Sequence, residues 1–381
     1  MKVSPRNNKS EMNLTTRCLH LHSACGLYAA GTIWPASYVS PYKKQCPMFY
    51  PFKKKELTHS LTIKRNNCTL DAPNKASGNI QYTPGMKVNT LFSFWNSKFT
   101  DCGISEPEAS TNYIIAHALG KKTLWNLDKE STLVKEEQFK NIDRMCRRRL
   151  EKAPVQYVIG EWDFCELVLK MEPPVLIPRP ETEHLVNFVC KDLASSGNRS
   201  PSILEIGCGS GAISLAILHK IKEAKAVAID QSIAACELTK LNARINHLED
   251  RLQVHHLELT DELFESQHKL FCEKYDVLVS NPPYVPRKDM KNLQEEVARY
   301  EDPKALDGGE DGMDVIRIVL NSASSVLKEK GSVWLEVDTS HPDIIQKLVT
   351  EKRTDLKLMY VETLLDFNKK PRFCHLIYDP S

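Results

Sequence analysis

The ten residues 202–211, SILEIGCGSG, place a short apolar run directly before a glycine-rich turn. The apolar run predicts a buried strand, and the apolar residues that follow from Ala212 predict a helix. Glycine permits positive φ angles and lets a ligand lie against the backbone, so such a turn is typical of a loop that holds a nucleotide-type cofactor. An ordinary strand-to-helix turn would show the same pattern, and the motif needs support from other residues.

Strand-like and helix-like segments alternate along the rest of this region, which predicts an α/β fold with a mostly parallel sheet wrapped by helices. The predicted elements, in order, are Ile203–Ile206, a helix from Ala212, Ala226–Ile229, a helix from Ile233, Leu252–Leu257, Tyr275–Val279, a helix at Val315–Leu327, and Val333–Val337. Leu356–Thr363 and Phe373–Tyr378 are expected to close the sheet as a hairpin.

Composition and periodicity divide the 381 residues into four segments. Residues 1–85 hold twelve Lys/Arg against three Asp/Glu and show no sustained period, which favours a cleaved organelle-targeting leader over a disordered tail or an incorrectly assigned start upstream of Met86. Residues 86–154 predict a small helical domain. Residues 155–180 predict a linking β-hairpin, with β-rich runs at 155–159 and 167–169, and residues 181–381 form the α/β domain.

The helical domain ends in a basic run. Apolar residues recur at helical spacing from Phe139 to Leu150, which predicts an amphipathic helix. Arg147, Arg148 and Arg149 close that helix, and we interpret them as a solvated helix end that favours the dipole, rather than as a nucleic-acid patch.

Charge and cysteine spacing exclude several classes of function. The body, residues 86–381, holds thirty-nine Lys/Arg against forty-six Asp/Glu, which opposes stable binding of a nucleic-acid backbone. The twelve cysteines form no C-x-x-C pair or Cys/His cluster, so no metal site is expected. No apolar run reaches eighteen residues, and no membrane association is expected. A monomer is expected.

Acidic residues beside the glycine turn indicate which cofactor it holds. Asp230 follows Gly211 by nineteen residues and ends the next predicted strand, where a carboxylate can accept both ribose hydroxyls. Glu205, just before the turn, would repel a pyrophosphate and attract a cationic amino-acid moiety, which favours S-adenosylmethionine over a dinucleotide. Glu258, at the end of the following strand, is a candidate acceptor for the adenine amino group, although a solvated strand-end acid is a close alternative.

The four residues Asn281, Pro282, Pro283 and Tyr284 follow the predicted strand that begins at Tyr275, at the carboxyl edge where ligands bind in such folds. If the Asn281 side-chain oxygen and the Pro282 carbonyl each accept one N–H, electron density moves onto a substrate nitrogen and its lone pair points at the methyl donor. Tyr284 would stack on the planar group. The turn therefore predicts methyl transfer to a planar amide or amine nitrogen, with these four residues as both the catalytic and the substrate-binding set.

These motifs resemble the HemK-type (PrmC-like) protein-(glutamine N5) methyltransferases that modify peptide chain release factors. The resemblance covers roughly residues 86–381 and adds the runs PVQY at 154–157, LIPRPETE at 176–183, YEDP at 300–303 and ALDGG at 305–309. It implies a class I methyltransferase fold, Rossmann-like with a seven-stranded and mostly parallel sheet, and S-adenosylmethionine as cofactor. The implied substrate is the glutamine of a Gly-Gly-Gln loop in a release factor. The resemblance also implies that the helical domain at residues 86–154 recognises that substrate.

The resemblance also implies that Phe164 and Thr182 lie near the cofactor. Many relatives carry Asp at the Glu258 position and an aromatic residue at Leu259, so this chain departs from the family at both adenine contacts. A leader on such a body resembles the mitochondrial member, which implies a matrix location. Because the NPPY turn is shared with enzymes that modify DNA adenine, a DNA adenine amino-group methyltransferase is the alternative.

Overall fold

The structure is a computed structural model that describes residues 82–258, 260 and 273–381. The expected leader at residues 1–85 therefore falls outside the described residues, apart from its last four positions. No helix in the described part of the chain is long and apolar enough to cross a membrane.

Three helices form the amino-terminal domain: α1 (Val88–Asp101), α2 (Pro107–Ala118) and α3 (Glu136–Leu150). Each turns an apolar face inward, because side chains three and four residues apart share one side of a helix. Trp95 of α1 is fully buried and its indole N–H donates to the Tyr82 hydroxyl at 3.2 Å. The predicted helical region is thus a packed bundle.

The linker corrects one part of the sequence-based prediction. Residues 155–159 form a helix, α4 (Val155–Ile159), rather than a strand. The antiparallel hairpin comprises only β1 (Glu161–Phe164) and β2 (Leu167–Lys170). A five-residue apolar run does not distinguish a strand from a buried helix. Here Gly160, at φ 75°, ends the helix, and the Tyr157 hydroxyl donates to the Val175 carbonyl at 2.5 Å.

The α/β domain follows, and its elements agree with the predicted alternation. They are α5 (Thr182–Ser196), β3 (Ser202–Ile206), α6 (Ala212–Lys220), β4 (Lys225–Asp230), α7 (Ile233–Ile245), β5 (Leu252–His256), β6 (Tyr275–Ser280), α8 (Glu295–Tyr300), α9 (Asp314–Val326), β7 (Leu327–Glu336), α10 (His341–Glu351), α11 (Arg353–Leu356), β8 (Leu358–Leu365) and β9 (Pro371–Tyr378).

The seven-stranded sheet has the order β5-β4-β3-β6-β7-β9-β8. The strands from β5 to β7 are parallel, and β9 and β8 are antiparallel, which confirms the predicted fold class. Alternate residues face opposite cores: Ile203 packs against the helices α5 and α6, and Leu204 packs toward α9 and α10. Because both faces are covered, each strand is apolar throughout. The chain changes direction between β3 and β6, where such sheets bind ligands.

One buried ion pair joins the helical domain to the α/β domain. Arg149, interpreted from sequence as part of a solvated helix end, is 2% exposed. Its guanidinium donates to the Glu296 carboxylate of α8 at 3.0 Å, and also to Ser105, Ser110 and the Ala153 carbonyl. That interpretation was wrong for this residue, because a side chain from the distant α8 covers it. These contacts offset the cost of burying the charge, since a buried guanidinium without partners is strongly destabilising.

Candidate active site

A cavity opens at the carboxyl edge of β3, β4, β5 and β6. Several predicted site residues line it, namely Gly207, Gly209, Asp230, Glu258, Asn281, Pro282 and Pro283. The fold brings them together because β3 and β6 are neighbours in the sheet, although more than seventy residues separate their ends in the chain. The Ser280 hydroxyl reinforces that pairing by donating to the Ile206 carbonyl at 2.7 Å.

The glycine-rich turn has two kinds of glycine. Gly207 and Gly209 have φ angles of +79° and +53°, and a Cβ built on either would have nothing within 4 Å. Their backbone therefore faces open space in the cavity, where a ligand can lie against it. Gly211 has another role, because its Cβ would come within 3.0 Å of both Leu215 and Thr239, between α6 and α7. It permits close packing of these helices.

Two residues of the turn face the protein interior instead. Cys208 and Ser210 are both 3% exposed, and neither lines the cavity. The Cys208 sulfur accepts a hydrogen bond from the Thr239 hydroxyl at 3.4 Å, and the Ser210 carbonyl accepts one from the Asn242 side chain at 2.9 Å. Both fasten the turn to α7, so any contact they make with a cofactor would be through their backbone.

Asp230 ends β4 and holds the turn from the other side. Its carboxylate accepts hydrogen bonds from the Gly209 N–H at 2.9 Å and from the Ser232 N–H at 2.8 Å. Burial raises the pKa of this carboxyl, and the two N–H groups oppose that effect. Each oxygen accepts one of these bonds and keeps a second lone pair for a ligand hydroxyl. The geometry thus agrees with a ribose acceptor, a role that stays a prediction.

Glu205 lies just before the glycine turn, but its side chain faces the protein interior. It is 1% exposed, does not line the cavity, and accepts a hydrogen bond from the Ser214 N–H at 3.0 Å. Burial raises its pKa to about 8, so it is largely uncharged at neutral pH. The expected attraction to a cationic moiety is therefore not supported. Glu205 instead fastens the first turn of α6 to β3.

Asn281 lines the cavity, and its side chain is fixed by a hydrogen bond on the side away from the cavity. Its side-chain N–H donates to the Thr182 hydroxyl oxygen across 3.4 Å, at the first residue of α5. The nitrogen end of the amide is directed at Thr182, and no residue in the described part of the chain donates to the oxygen end, which can therefore accept from a ligand. Thr182 is 2% exposed and does not line the cavity itself, so it lies behind Asn281, and its place near the cofactor stays a prediction.

Three further predicted residues lie away from the cavity or outside the described part of the chain. Tyr284 is half-buried against the core beside α9, and burial raises the pKa of its hydroxyl. Phe164 is 2% exposed within the other core. Neither lines the cavity, because apolar packing draws both rings inward. Glu258 lines it as an exposed side chain, and Leu259 lies outside the described residues.

The ALDGG run packs directly on the NPPY turn. The Val285 N–H donates to the Leu306 carbonyl and the Gly308 N–H donates to the Val285 carbonyl, both at 2.9 Å. A Cβ on Gly308 would lie only 2.7 Å from the Pro283 carbonyl oxygen, so glycine is required for this approach. The position of Pro283 therefore depends on a segment about twenty-five residues further along the chain.

The YEDP run supplies a wall of the cavity that no sequence argument assigned. Asp302 and Lys304 both line the cavity, and the negative charge of Asp302 contributes to the raised pKa of Asp230. Just before them, Glu301 binds the guanidinium of Arg179 with both carboxylate oxygens at 2.9 Å. The two runs LIPRPETE and YEDP are thus joined in space. The signal available in the sequence was the acid Asp302 beside Pro303, within a run that the family resemblance had already singled out.

Two family models match the chain. Residues 183–300 match the methyltransferase small domain, and residues 90–160 match the PrmC N-terminal domain. The chain is 44% identical over 293 residues to the human MTRF1L release factor glutamine methyltransferase, covering 75% of this chain and 86% of that protein. It is 33% identical over 278 residues to the release factor glutamine methyltransferase of Chlorobaculum tepidum, covering 72% of this chain and 91% of that protein.

The match to the methyltransferase small domain, on a mostly parallel sheet with an open glycine turn, identifies a methyltransferase that uses S-adenosylmethionine. Together with the matched helical domain, the identity to these relatives over most of their length places the chain more narrowly. It belongs to the release factor glutamine methyltransferase family.

Proposed function

We propose that the chain methylates the side-chain amide nitrogen of the glutamine in the Gly-Gly-Gln motif of a mitochondrial peptide chain release factor. The observation that carries the proposal is that Asn281, Pro282 and Pro283 line the same cavity as Gly207 and Asp230. The nitrogen acceptors and the cofactor-holding residues therefore meet at one place. When bound, S-adenosylmethionine supplies an electrophilic methyl group on a sulfonium.

The residues of the NPPY turn supply the hydrogen-bond acceptors that an amide nitrogen needs in order to react. An amide nitrogen is a poor nucleophile because its lone pair is delocalised into the carbonyl. Asn281, whose N–H group is directed at Thr182, presents its oxygen to one substrate N–H. The Pro282 carbonyl accepts the other, and a backbone restricted by two prolines keeps the pair of acceptors in place. The acceptors stabilise the positive charge that develops on nitrogen, and the proton leaves to water afterwards.

The surroundings of the site favour a folded protein as substrate. The helical domain is fastened to α8 by the buried pair of Arg149 and Glu296, and α8 leads into the cavity wall at Asp302. A release factor could therefore contact the helical domain while its glutamine loop enters the cavity. Action as a monomer in the mitochondrial matrix, without stable nucleic-acid binding, belongs to the same proposal. The basic composition of residues 1–85 supports the location, and the acidic body opposes nucleic-acid binding.

The proposal is tested by incubating the protein with methyl-labelled cofactor and either a mitochondrial-type release factor or duplex DNA. Label should enter the release factor and not the DNA. A matched factor in which the motif glutamine is replaced by glutamate, which lacks the amide nitrogen, should remain unlabelled. Label in the duplex, lost steeply as salt is raised, would instead support the adenine methyltransferase.

A further inference from the structure

The cavity carries more negative than positive charge. Asp230, Glu258 and Asp302 line it with one lysine, Lys304. The methyl donor carries one more positive charge than the product left after transfer, because the sulfonium becomes a neutral thioether. A carboxylate near that sulfur stabilises the donor and not the product. Asp230 and Glu258 already have expected partners in the ribose and adenine, and Asp302 has none.

Asp302 is held in a fixed position by contacts on both sides. Its N–H donates to the Pro174 carbonyl at 2.7 Å, and one carboxylate oxygen accepts from the Lys304 N–H at 2.9 Å. The preceding residue, Glu301, is anchored by Arg179. No hydrogen bond to the second carboxylate oxygen of Asp302 is formed by the residues that the structure describes. That oxygen is available at the cavity wall without a change in the backbone.

Asp230 and Asp302 line the same cavity. The charge of Asp302 raises the pKa of Asp230, although less than burial does, so the carboxylates are close enough to interact. Two neighbouring carboxylates repel each other unless a cation lies between them. A cationic donor would relieve this repulsion, whereas the neutral thioether product would not.

We infer that Asp302 is a specificity-determining residue that favours the cationic methyl donor over the uncharged-sulfur product and thereby promotes product release. This inference rests on the proposed function only in taking the cavity as the cofactor site. Glu205 does not supply this charge, because it is buried and largely uncharged at neutral pH. Asp302 is half-buried at the wall of the cavity itself.

The test is isothermal titration of S-adenosylmethionine and of S-adenosylhomocysteine into the full chain and its variants, without a release factor. Asp302→Asn keeps the oxygen that accepts from Lys304 and removes the charge. We expect it to weaken binding of the donor about three- to tenfold and to change binding of the product less than about twofold. Asp302→Glu, which keeps the charge, should retain most of the preference for the donor.

Asp289→Asn is the matched control, because it removes the same charge from the segment between the NPPY turn and Asp302, outside the cavity lining. It should leave the affinity ratio unchanged. An equal loss of both ligands in Asp302→Asn, or an unchanged ratio, would overturn the inference. If the unsubstituted protein bound neither ligand, the assignment of the cofactor site would fail instead, so the two failures are distinguishable.

Discussion

Replacement of Gly308 by alanine should disable the NPPY turn without strain at Gly308 itself, because its φ lies outside the left-handed region. The new Cβ would lie 2.7 Å from the Pro283 carbonyl oxygen and 2.8 Å from Gly312 backbone atoms. Ordinary contact begins near 3.4 Å, so the turn must move by about 0.7 Å. Because a misplacement of about 1 Å can cost about 100-fold in rate, we expect kcat to fall about 10- to 50-fold.

The matched control is Gly331→Ala, at the opposite edge of the sheet. Its Cβ would approach the backbone oxygens of Lys328, Asp276 and Tyr275 at 2.9 to 3.2 Å. Both variants should lose about 1–3 kcal/mol in free energy of unfolding, because both force backbone to move. Only Gly308→Ala should lose turnover, measured as single-turnover methylation with cofactor saturating. If Gly308→Ala kept more than half of the wild-type rate, or if Gly331→Ala lost as much, the reasoning would be refuted.

Three other substitutions test the role of Asn281, the buried pair of Arg149 and Glu296, and the protonation of Glu205. Asn281→Ala should lower kcat about 100- to 1,000-fold while calorimetric cofactor affinity changes less than about threefold, and a large loss of affinity would mean that its role is misassigned. Arg149→Met should lower the free energy of unfolding in urea by about 3–5 kcal/mol, because it leaves the buried Glu296 carboxylate without its partner. The double variant Arg149→Met with Glu296→Leu should recover most of that loss, and a double variant as unstable as the single one would contradict this reason. Glu205 has a pKa raised from 4.5 to about 8, so the folded state keeps a proton that the unfolded state has lost. The free energy of unfolding should therefore fall, by up to about 5 kcal/mol, as pH rises from about 4.5 to 8. Glu205→Gln should flatten that dependence in urea titrations across this range, and an unchanged slope would contradict it.

The sequence predicted the sheet well because its strands are buried on both faces and its turns carry glycine. The strands from β3 to β7 and the terminal hairpin lie where apolar runs predicted them. Residues 155–159 were predicted wrongly as a strand, since tertiary packing decides the state of so short a run. Arg149 shows the same limit, because its partner Glu296 lies 147 residues away.

The sequence predicted the residues of the candidate site that lie at strand ends, but not those that form the cavity wall. Gly207, Asp230 and Asn281 directly follow or end parallel strands, so the topology alone brings them together. The sequence could not show which way a side chain points, and Glu205 turned out to face α6 rather than the cavity. Asp302 was missed because it follows no strand, and only the packing of YEDP on the 174–179 segment brings it to the site.

The chain is proposed to methylate one glutamine nitrogen that is bound in this cavity. The most direct measurement is the mass of the tryptic peptide that contains Gly-Gly-Gln, taken from a release factor incubated with cofactor and either the wild-type chain or Asn281→Ala. We expect the wild-type chain to add the mass of one methyl group, located on the glutamine side chain by fragmentation, and the variant to add almost none. An unmodified peptide from the wild-type reaction, with cofactor binding demonstrated, or a methyl group on another residue, would contradict it.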